Sequence, residues 1–135
     1  MITTQFYMMY IGIGAWGISI LLTSIKLMRN NKVRVSFMGL GLMMSVSQII
    51  LAIHEHTFTR VTNSDSLHMP LFYLTVYNCL RYIFINVYGV EPTYNKASWY
   101  DPDDGRKQNW FDVVVFFVPL LLSFGFVPFL AILKK

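Results

Sequence analysis

The sequence predicts an all-α integral membrane protein with three transmembrane helices plus one amphipathic or re-entrant helix. Charged residues make up only 13% of the 135 residues and hydrophobic ones 55%, whereas a soluble domain carries about 25% charged residues to cover its wet surface. Three stretches, 1–25, 35–53 and 113–133, contain no Asp, Glu, Lys or Arg. As helices of about 20 residues they match the hydrocarbon layer of a bilayer. The last of them, VVVFFVPLLLSFGFVPFLAIL, has one hydroxyl and no polar face, which a soluble bundle helix would need.

The first span is expected over 7–25. No basic residue precedes its apolar run and no clear small-residue cleavage site follows, so it reads as a retained helix and not as a cleaved signal. Gly12, Ala15, Ser19 and Thr23 recur at helical spacing. They form a small-residue face that lets another helix approach closely.

The connection KLMRNNKVR (26–34) holds four cations and no anion. Its length predicts antiparallel neighbouring helices on either side, and its charge places it on the cytoplasmic or matrix side. The second span, 35–53, carries a stripe of Gly41, Ser45, Gln48 and Ala52. The Gln48 amide needs a partner away from water, and a contact between helices is the simplest one.

Beyond it, HEHTFTRVTNSDSLH (54–68) reads as a loop, and Pro70 suits the first turn of a further helix over about 71–89. That helix holds Arg81 near its middle, with Asn78 and Asn86 on the same broad face. A central arginine cannot snorkel to water from a spanning helix and needs a polar partner, an anion or a wet cavity. A helix lying at the interface, or re-entering, removes that difficulty.

Charge bias agrees. With three spans, 54–112 forms one outer region and Lys134 and Lys135 return beside the basic 26–34 loop. The alternative is four spans, which leaves the two terminal lysines outside. The final span is expected over 113–133, with Asp112 capping it and Pro119 and Pro128 kinking or locally unwinding it. The aromatic and turn-rich stretch 94–110 suits a membrane–water boundary.

Few residues carry recognisable chemistry. The His54-Glu55-His56 triplet lacks the four-residue spacing that puts two histidines on one zinc ion. DPDDG (101–105) lacks the glycine position and terminal glutamate of a calcium loop. The lone Cys79 excludes an intrachain disulfide. The three clear spans contain no ionisable Asp, Glu, Lys, Arg or His, the groups that proton pumps and ion-coupled carriers use.

These features predict a non-enzymatic accessory or scaffold subunit of a larger membrane complex. Its expected partners are other membrane subunits and lipids, with no nucleic acid and no cofactor or metal. Gly12, Ala15, Ser19, Gly41, Ser45, Gln48, Asn78, Arg81 and Asn86 are the expected interface or structural residues. The alternative is a small oligomeric channel or transporter component with Arg81 near an anion path.

Overall fold

The computed structural model describes residues 2–57, 60–94, 100–101 and 105–134. Four helices dominate it: α1 (Ile2–Ser24), α2 (Asn31–His54), α3 (Met69–Tyr88) and α4 (Trp110–Leu133). A 3-10 helix, Asn63–His68, leads directly into α3. A short antiparallel pair, β1 (Tyr100–Asp101) and β2 (Arg106–Lys107), precedes α4.

Three helices are long and apolar enough to cross a membrane, over Thr4–Ser24, Asn31–His54 and Trp110–Leu133. Only 17–22% of each of their most apolar windows is buried inside the bundle. Tyr10 and Leu21 of α1, Met43 and Ile50 of α2, and Leu121 and Ile132 of α4 all point outward. Such apolar surface far exceeds what a water-soluble monomer exposes. Hydrocarbon is its solvent, and the protein is an integral membrane protein. The 3-10 helix and α3 form the additional, less apolar element.

The turn between α1 and α2 is tight. Lys26 takes a left-handed conformation (φ 64°), and the Asn30 side chain accepts a hydrogen bond from the Lys32 N–H at 2.9 Å. The two helices run antiparallel as expected, yet they are not the direct neighbours that the short loop predicts. Each packs on the 3-10 helix and α3.

Two glycines permit that insertion. A Cβ on Gly12 would lie 2.7 Å from the Ser66 carbonyl, and one on Gly41 would lie 3.2 Å from the Leu71 backbone. The small faces of α1 and α2 are therefore filled from within the chain.

The main core lies at the 26–34 end, where Tyr73, Tyr77 and Phe84 of α3 meet Val115 and Phe116 of α4 over Met28. Ring contacts fix the direction. Phe72 stacks on Phe126, Tyr77 meets Phe116, and Phe84 stacks on Phe111, so α3 and α4 are antiparallel. The Tyr73 and Thr23 hydroxyls lie 2.6 Å apart, near the basic end of α1.

Thus α3 runs toward the basic loop and α4 runs away from it. Lys134 lies at the His54 end, not beside the 26–34 loop as the charge bias predicts; Lys135 is outside the described residues. Pairing with a buried carboxylate outweighs the bias there. α4 also stays helical through Pro119 and Pro128, because freeing more backbone groups in hydrocarbon is costlier than losing single bonds at the prolines.

Candidate functional site

Two polar clusters, one toward each end of the bundle, hold the fully buried carboxylates Asp65 and Asp112. The first grows from the 3-10 helix. Thr62 caps it and Asp65 occupies the third position, so the Thr62 N–H donates to Asp65 Oδ2 at 2.9 Å in a capping box. This fixes Asp65 with no solvent exposure. Lys134 Nζ then lies 3.0 Å from each carboxylate oxygen and donates to the Arg60 carbonyl at 3.2 Å.

Gln48 Nε2 donates to Asp65 Oδ1 at 2.7 Å. That fixes the amide orientation, so Gln48 Oε1 faces His68 Nε2 at 3.0 Å as an acceptor. The imidazole must carry its proton on Nε2. His68 lies outside the three spans. Burial lowers its pKa below the ordinary 6.5, Asp65 pulling it up and Lys134 down more weakly. Gln48 sits six residues before the end of α2, roughly 9 Å along the axis. The cluster is therefore inside the bundle, where an unpaired charge would be expensive.

The second cluster lies at the basic end. Asn109 and Asp112 form a capping box on α4, each side chain accepting the other's backbone N–H. Asp112 is fully buried, and Arg106 grips it in bidentate fashion at 2.9 and 2.6 Å. The Thr93 N–H donates to Asp112 Oδ1 at 2.8 Å. Arg106 also donates to the Glu91 carbonyl at 2.9 Å and lies over the Phe84 ring.

Arg81 forms a bidentate pair with Glu91, with Nε to Oε2 at 2.8 Å and Nη2 to Oε1. Arg29 Nη2 reaches the Pro92 carbonyl at 3.0 Å. The segment 91–94 is thereby tied to α3, α4 and the 26–34 turn. Cations from α3, β2 and the 26–34 turn thus converge on the segment that follows α3, and bidentate geometry makes the carboxylate pairing directional.

The expected residues fall in different places. Gly12, Gly41 and Gln48 face the inserted segment, and Ser45 is buried with its Oγ lacking a hydrogen-bond partner among the described residues. Ser19 is buried, donating to the Ala15 carbonyl at 2.9 Å; Ala15 is half-buried. Asn78 donates to the Leu74 carbonyl at 2.7 Å, and Asn86 is exposed. Only Gln48 joins the first cluster and only Arg81 the second.

Asp65, Glu91 and Arg106 are clustered residues that the sequence pattern did not single out, and Lys134 entered it only as a marker of topology. A signal existed for two sites: Thr62-Asn63-Ser64-Asp65 and Asn109-Trp110-Phe111-Asp112 both have capping-box spacing. At the His54 end, Glu55 accepts from Gln5 Nε2 at 3.0 Å. No group of three or more His, Cys, Asp or Glu could hold a metal ion among the described residues. Trp99 and residues 102–104 of the DPDDG turn lie outside them. No protein-family model, curated protein or solved structure matches this chain, so a functional reading rests on the geometry of the bundle and its two clusters.

Proposed function

We propose that the chain is a small non-catalytic subunit that docks against other proteins of a larger membrane assembly. The observation that carries this reading is the mutual use of the buried charges. Asp65 is consumed by Lys134, and Asp112 by Arg106. Groups locked in such pairs hold helices together and are poorly placed to shuttle protons or bind a passing ion. Arg81 is likewise committed to Glu91, which weighs against an anion path along α3.

What remains available is the outer surface. On α1, Gly14 and Gly17 have no atom within 4 Å of a Cβ built on either, and both are exposed. Small residues on an otherwise bulky lipid face are where a partner helix gains close backbone contact. In this reading the 26–34 loop faces the cytoplasm or matrix, following its four cations.

The test is recovery of the native assembly in mild detergent, with wild type compared against Gly17→Leu. The substitution should reduce co-purifying membrane proteins while leaving membrane insertion and thermal unfolding unchanged. A chain that migrates alone in both forms, or that keeps the same companions in both, contradicts the proposal.

A further inference from the structure

Between α1, α4 and the loop that enters the 3-10 helix lies a cavity of about 340 Å³, open on one side. Met9, Ile13, Trp16 and Phe124 supply apolar walls, while Thr62, Asn63 and Ser66 supply polar groups where the loop closes over them. The cavity exists because α1 and α4 barely touch. Trp16 Nε1 donates to Ser123 Oγ at 2.8 Å, the single polar bridge between the two helices among the described residues.

We propose that this cavity holds one acyl chain of a membrane glycerolipid, with the ester group beneath the 60–63 loop. The polarity of the walls sets the orientation. The loop lies toward the His54 end, so the polar groups are nearest that membrane surface. The chain then runs inward toward the Trp16–Ser123 bridge.

The hydrogen bonds indicate which polar group meets the ester. Thr62 Oγ1 pairs with Ser64 Oγ at 2.8 Å, and Ser66 Oγ donates to the Asn63 carbonyl at 3.0 Å. The Asn63 side-chain amide has no hydrogen bond among the described residues. The residue is exposed at the mouth of the cavity, where its N–H groups can donate to an ester carbonyl. No charged side chain lines the cavity, so the recognised part of the lipid is the uncharged ester and chain.

A partner helix fits less well. A helix with side chains is about 10–12 Å across, too thick for this volume. Helix docking also favours small residues, whereas these walls are bulky.

The experiment uses the full chain in phosphatidylcholine vesicles containing a trace of phosphatidylcholine with a diazirine on one acyl chain. After irradiation, labelled peptides are mapped by mass spectrometry. Label should concentrate on Met9, Ile13 and Phe124 over the outward-facing Met43 and Ile50 of α2. Val127→Trp fills the cavity and should abolish that preference. Asn63→Ala lies on the exposed lip and spares the core. It should lose the lipid that the wild type retains in native mass spectrometry, with unfolding unchanged. Uniform labelling around the wild-type bundle overturns the proposal. So does unaltered labelling in Val127→Trp, or unaltered lipid retention in Asn63→Ala. Cross-links from Ile13 to another protein in native membranes would instead assign the cavity to a partner.

Discussion

Lys134, at the end of α4, places its ammonium 3.0 Å from both oxygens of Asp65, a residue 69 positions earlier in the chain. The pair joins the last turn of the bundle to the segment inserted between α1 and α2, and Gln48 ties the same carboxylate to α2. Three elements converge on one buried anion. Removing one partner of such a pair costs more than removing both.

Lys134→Met should therefore destabilise the bundle by about 3 kcal/mol, because it leaves Asp65 buried without its cation. The double variant Asp65→Asn with Lys134→Met should recover much of that loss. Reversible unfolding in detergent, read as a double-mutant cycle, checks the coupling. Simple additivity would mean that the pair does not act as a unit.

Gly12 and Gly14 lie on opposite sides of the same helix and predict opposite responses. Gly12→Ala forces a Cβ against the Ser66 backbone and should cost about 1–3 kcal/mol. Gly14→Ala meets nothing and should be neutral or slightly stabilising through helix propensity. Equal unfolding midpoints for the two variants would contradict the close approach at Gly12.

Arg81→Leu should free the segment 90–94, because Glu91 loses its bidentate partner. Arg81→Lys keeps the charge but not the planar fork, and should loosen the segment less. Amide hydrogen exchange over 90–94 reads the order: wild type slowest, lysine intermediate, leucine fastest. Unchanged exchange in the leucine variant would mean that Arg29 and Arg106 hold the segment without it.

His68 predicts a pH dependence of defined sign. Burial lowers its folded pKa below 6.5, so between the two values the unfolded chain binds the extra proton. Its contribution to stability is complete above the unfolded value and is lost as pH falls through the folded one. Mild acid should thus lower the unfolding midpoint of the wild type. Asp65 and Lys134 face the same cluster, so His68→Gln isolates the effect by removing the imidazole part of the dependence. Identical pH profiles for both proteins would rule it out.

Orientation is testable with cysteines at two exposed positions, Asn31 and His56, in a Cys79→Ser background. The ends of α2 place them at opposite ends of the bundle. An impermeant thiol reagent added to sealed right-side-out cells should label the His56 position and spare the Asn31 position. Labelling of Asn31 alone would invert the topology proposed from the basic loop.

By itself the sequence determined the class of this protein and its three spans, because length and apolarity are local properties that a bilayer reads directly. It also marked the small faces of α1 and α2 and the need of Gln48 and Arg81 for partners, since buried polar groups must be paired. Only the tertiary structure decided what meets those groups. Ser66 and Leu71 fill the glycine faces, Asp65 meets Gln48, and Glu91 meets Arg81. Helical spacing specifies which residues share a face but not which distant segment covers it. The direction of α4 was also decided in three dimensions. Charge bias favoured placing Lys134 beside the basic loop, but that bias is a weak orienting preference summed over loops. A fully buried Asp65 leaves its cation far less choice, and it draws Lys134 to the opposite end.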